Sequence, residues 1–155
     1  MSITGRSGKQ PEYTTQKNHL LHSSVVDGLA FSWASVAYDY DGNDTILLVE
    51  NTSTTHNLHI DQVWGHSDTT TTVIVHATDE SSLTHSGTSV TGVNLNRSSS
   101  NAAAATATAD EVNNARGNTF WSGSIPADNA TPVLINAGVV LDLNDIIAVD
   151  YVDAG

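Results

Sequence analysis

The chain has 155 residues, 17 acidic and 5 basic, for a net charge of −12 and a pI near 4.5, and it has no cysteine. Disulfides and thiolate metal sites are thereby excluded, and nucleic acid is disfavoured as a partner because phosphate binding needs clustered Lys and Arg. Hydrophobic residues at 39% suffice for one core, whereas charged residues at 14% fall well short of the usual quarter, which leaves Thr, Ser and Asn to make the polar surface.

Residues 1–22 hold Arg6, Lys9 and Lys17 against Glu12, a balance of +2, so the rest of the chain carries −14. Apart from Met1 and Ile3 this stretch has no apolar pattern before Tyr13, and Gly5, Gly8 and Pro11 resist regular structure. It reads as an extended N-terminal arm, and Arg6, Lys9, Tyr13 and Lys17 are the candidate residues for docking on an acidic or polar neighbour. GRSGK at 5–9 lacks the full spacing of a phosphate-binding loop and the strand that precedes one. The opening MSITGRSGKQPEYTTQ has no apolar centre of a signal peptide, and no run approaches the roughly 18 apolar residues of a membrane span. A soluble chain without membrane contact is expected.

Residues 23–155 read as a single β domain with no dividing linker. Phe31, Trp33, Ser35 and Ala37 interleave with Ser32, Ala34, Val36 and Tyr38 in a first strand, which DYDGND at 39–44 breaks. Ile46 to Val49 is apolar enough to be covered on both faces, and Asn51 to Thr55 is a polar turn. Leu58, Ile60, Val63 and Trp64 mark the next strand, and Gly65 to Asp68 a turn. A strand over Thr72–Ala77 follows, then one carrying Val90, Val93 and Leu95.

The stretch NAAAATATAD at 101–110 is ambiguous: alanine favours a helix, while the Ala-Thr alternation of 105–109 has the period of a strand. Extended structure is expected there, and an exposed loop over Asp110–Asn118, where a short helical turn is also possible. Strands around Phe120–Trp121, Val133–Ile135, Val139–Leu143 and Ile147–Tyr151 complete the chain. Strands spaced about ten residues apart with turns between them indicate a sandwich or barrel.

Asp39, Asp41, Asn43 and Glu50 match positions 1, 3, 5 and 12 of a calcium-loop template, but Asp44 replaces the glycine that the sharp bend requires. The segment is better explained as hairpin turn chemistry. Among the seven histidines, His56 and His59 sit three apart in a strand region and so face apart, while His66, His76 and His85 lie near turns or strand ends. No metal, cofactor or catalytic residue is nominated. GTSVTG at 87–92 is one residue too long for a nucleophile elbow, and Glu12, Glu50, Glu80 and Glu111 stand in unlike settings. The Asn-x-Ser/Thr triplets at Asn43, Asn51, Asn96 and Asn129 are expected by chance in this composition.

Three segments, LLVENTSTTHNLHIDQVWG at 47–65, VTGVNLNRSSSNAAAATATAD at 90–110 and VVLDLNDIIAVDYV at 139–152, resemble the small β-sandwich structural proteins of tailed-phage particles. The similarity covers about residues 29–152, and the compact body with a polar arm most resembles capsid decoration (cement) proteins. That resemblance implies a homotrimer bound outside the shell, against the major capsid protein, without catalytic residues. The expected architecture is an all-β, jelly-roll-like β-sandwich of about eight strands that oligomerises through strand edges and small-residue faces. Arg97, expected to be paired, and Trp121 are the candidate interface residues. The competing class is a receptor- or carbohydrate-binding β-sandwich of a phage tail or fibre. There Trp121 is the aromatic to stack on a sugar, because Trp33 and Trp64 lie in the most apolar strands and are assigned to the core.

Overall fold

The computed structural model of the chain describes residues 24–35, 45–79, 84–112, 117–127 and 132–152. In chain order its strands are β1 (Phe31–Ser32), β2 (Thr45–Asn51), β3 (Leu58–Gly65), β4 (Thr71–Asp79), β5 (Thr88–Ser89), β6 (Val93–Asn94), β7 (Ala105–Ala109), β8 (Asn118–Ile125), β9 (Val133–Leu141) and β10 (Asp145–Val152). The protein is an all-β sandwich. No helix among the described residues is long and apolar enough to cross a membrane. The boundary expected at residue 22, and the turn at 39–44 with Asp39, Asp41 and Asn43, lie outside the described residues.

The chain forms two compact units. The described part of the smaller one comprises residues 24–32 and 92–103. A single helical turn at Ser24–Val26 closes in a Schellman motif: Gly28, at φ +70°, donates to Val25 O and Leu29 donates to Ser24 O. Antiparallel β1 and β6 pair Phe31 with Asn94. Asparagine side chains then tie the unit together, Asn94 and Asn101 both donating to Gly28 O and Asn96 to Val26 O.

In the larger unit a six-stranded antiparallel sheet has the order β5-β7-β2-β10-β4-β8, and a two-stranded sheet pairs β3 with β9. One face of the six-stranded sheet supplies Val49, Val73, Val75, Ala107 and Ile147, and these pack with Ile135 and Leu141 of β9 as the sandwich core. The opposite face is buried as well, which is why neighbouring residues such as Leu48 and Val49, or Ile146 to Ala148, are all covered.

Asn51 sits where the chain twice changes layers. Its buried Nδ2 donates to His56 O in the β2–β3 connection and to Leu141 O at the end of β9, its Oδ1 accepts from Ser53 N, and its carbonyl accepts from Asn144 N in the β9–β10 turn. One side chain thus pins both corners of the sandwich.

Several strands differ from the sequence reading. The single strand expected through Val90, Val93 and Leu95 is two short bridges, β5 and β6, because Asn94 and Asn96 accept hydrogen bonds from Asn96 N and Ser98 N and bend the backbone into Asx turns. The two strands expected over 133–143 are one, β9, with Gly138 at φ +60° opposite a register irregularity. Within the described residues the first strand is limited to Phe31–Ser32. Ala105–Ala109 is extended, as the alternation implies.

Candidate functional site

The buried polar chemistry lies on the sheet face opposite the sandwich core. His76 and Asp150 come from adjacent strands β4 and β10 on that face, one diagonal step apart. His76 Nδ1 accepts from Gly117 N at 3.0 Å, so Nε2 carries the proton and donates to Asp150 Oδ2 at 2.7 Å. Thr45 Oγ1 donates to the other carboxylate oxygen at 2.6 Å. Both imidazole nitrogens are engaged and both side chains are buried, so the arrangement joins β2, β4, β10 and the start of β8, and it presents no base to a substrate.

Glu111 is the second centre. Its fully buried carboxylate accepts from Ser86 N at 3.0 and 2.9 Å, from Gly87 N at 3.0 Å, from Thr108 Oγ1 at 3.1 Å and from Ser86 Oγ. The Glu111 backbone also exchanges two hydrogen bonds with Thr45. The carboxylate therefore fixes the segment leading into β5 against the end of β7. This corrects the sequence reading of residues 110–118 as an exposed loop at its first two positions: Asp110 turns the chain at φ +57° and delivers Glu111 inward.

His85 bridges this centre to β2. Its Nε2 donates to Glu50 Oε2 at 2.5 Å, while Nδ1 stands 3.9 Å from Glu111 Oε2, too far for a hydrogen bond, and has no hydrogen-bond partner among the described residues. The His85 and Glu50 side chains keep 21% and 15% of their surface exposed. Among the described residues no nucleophile bonds His85, and no group of three His, Asp or Glu is placed to hold a metal ion.

Exposed apolar and amide side chains lie elsewhere, on the outer face of β3 and β9. Trp64 is 59% exposed and stands directly across from Leu134, itself 42% exposed. The next pair on that face is Gln62 and Asn136, both exposed, and beyond Gly138 come His59 and Val140.

No family model, curated protein or solved structure matches the chain.

Trp64 is thus not a core residue. The register irregularity between Ile60 and Gln62 resets the alternation of β3, so Val63 turns inward and Trp64 outward. Trp33 is half-buried against the core, as is Trp121, which lies against Gly123 two residues along β8. Arg97 is exposed in a turn, and among the described residues it makes no ion pair. His76, assigned to a turn or strand end, lies within β4 and is buried. Arg6, Lys9, Tyr13 and Lys17 lie outside the described residues.

The sequence reading missed the Asp150 and Glu111 centres. An acidic residue within IIAVDYV and a histidine within TVIVHAT, each interrupting an apolar strand, are the available signal for the first. Glu111 carries no comparable signal.

Proposed function

We propose that the chain is a non-enzymatic virion structural protein, a jelly-roll-like sandwich that decorates and stabilises a viral capsid by binding between major capsid protein subunits on the outer surface, as a homotrimer. The observation that carries this reading is the edge strand β8. It closes one side of the six-stranded sheet, spans eight residues (NTFWSGSI), contains no charge and no proline, and pairs only with β4 among the described residues.

Proteins that stay apart usually blunt such an edge with Lys or Pro, whereas an open one accepts a strand from a neighbour. Phe120, exposed at a bulge of this edge, offers an apolar anchor. The opposite charges of residues 1–22 and the remainder support the arm as a second contact on an acidic neighbour. Linked weak contacts of this kind add by effective concentration, without any single strong site.

The test is co-sedimentation of the full chain with capsid shells of its particle. Saturable binding that is lost in an Arg6→Glu, Lys9→Glu, Lys17→Glu variant supports the reading, and a chain that stays in the supernatant rejects it.

A further inference from the structure

We propose that the outer face of β3 and β9 is a binding site for a neutral hexopyranose chain with equatorial hydroxyls, with Trp64 as the stacking platform and the amides of Gln62 and Asn136 as the hydroxyl-reading groups. The outward positions of this face are all exposed. Trp64 and Leu134 form a cross-strand pair, and Gln62 and Asn136 form the adjacent pair on the same side. Side chains two positions apart on one face are about 6.6 Å from each other along the strand, so the amides lie beside a ring resting on the indole. Neither amide has a hydrogen-bond partner among the described residues, and both are exposed.

Three features select a saccharide. A pyranose with equatorial hydroxyls presents axial C–H bonds as an apolar face, which an indole and Leu134 cover, while its rim of hydroxyls needs groups that both donate and accept; a primary amide does both. In a chain of net charge −12 these four side chains are all uncharged, which suits a neutral ligand and gives nothing to a cationic or anionic one. Gly138 leaves a gap on the same face: a Cβ there would meet nothing within 4 Å, which gives room for a chain extending past the amides toward His59 and Val140.

A second copy of the protein is a poorer occupant. Of the face's seven outward positions, His59, Gln62, Asn136 and Gly138 offer no apolar side chain, whereas the centre of a stable protein interface is apolar. The site does not depend on the capsid reading, since it uses neither β8 nor residues 1–22.

Intrinsic tryptophan fluorescence of the full chain titrated with cellohexaose to about 10 mM tests the proposal, with polygalacturonate as the charged control. The expected result is a saturable blue shift with cellohexaose, none with polygalacturonate, and complete loss in Trp64→Ala, while Trp121→Phe retains it. Gln62→Ala and Asn136→Ala are expected to weaken binding about five- to tenfold each, with the free protein's spectrum unchanged. Absence of a saturable shift overturns the proposal, as does a shift that survives Trp64→Ala. Concentration-dependent dimerisation in sedimentation that Trp64→Ala abolishes and cellohexaose leaves intact also overturns it, by giving the face to a second copy. Particle binding by Trp64→Ala stays at the wild-type level if both proposals hold, so the two fail separately.

Discussion

His76 donates to Asp150 across 2.7 Å in a place where neither side chain meets solvent, and the backbone N–H of Gly117 fixes which imidazole nitrogen holds the proton. Replacing the carboxylate takes an acceptor away from both His76 Nε2–H and the Thr45 hydroxyl. Asp150→Ala is expected to lower unfolding free energy in urea by about 3 kcal/mol. Asp150→Asn keeps an oxygen for His76 and can donate its amide to Thr45, so it is expected to cost about 1 kcal/mol. Equal losses for the two variants would show that hydrogen bonding is not what the carboxylate contributes.

Glu111 is expected to be intolerant of its amide. In Glu111→Gln one acceptor becomes an NH2 group facing the donors of Ser86, Gly87 and Thr108, at a cost of about 2 kcal/mol. The local signature is faster hydrogen exchange at the Ser86 and Gly87 amides. Unchanged protection of those two amides would contradict the assigned bonds.

Asn51 must present donors to two carbonyls, those of His56 and Leu141. Asn51→Asp replaces the donors with oxygen and places a buried charge against carbonyl dipoles, so a loss of about 3 kcal/mol is expected in chemical denaturation. Because both layer crossings hang on this residue, a near-neutral result would mean that the corners are held by other groups. The same burial bears on the Asn51-Thr52-Ser53 triplet, whose acceptor nitrogen is committed inside the folded protein.

At Gly123 an added Cβ would stand 2.7 Å from Trp121 Cζ2. The indole is rigid and packs against the core, so Gly123→Ala is expected to shift it, costing about 1 kcal/mol and changing tryptophan emission. A variant with wild-type emission and stability would show that the ring has room to move.

The strand inventory was largely legible because apolar runs and turn residues alternate cleanly: β2, β3, β4, β8 and β10 all centre on the segments their patterns mark. Facing was harder. The pair Val63–Trp64 is apolar at both positions, and only the irregularity at Ile60–Gln62, which depends on the partner strand, decides that the larger residue points out. Polar pairing was harder again, since Glu111 meets Ser86 and His85 meets Glu50 across 25 and 35 positions, distances over which no local pattern operates. The Asx turns of 94–98 were written in the asparagines, but the apolar spacing of Val90, Val93 and Leu95 outweighed them.

The place of β10 has a consequence for biosynthesis. Strands β2 and β4 never touch each other in the ladder; β10 lies between them and pairs with both. During translation the earlier strands emerge with the central slot of their sheet empty, and the sheet closes only after residue 152 has cleared the ribosome. Such late, long-range closure makes for slow folding and prolonged exposure of Leu48, Val49, Val73 and Val75, so the nascent chain is vulnerable to aggregation until β10 has emerged and paired.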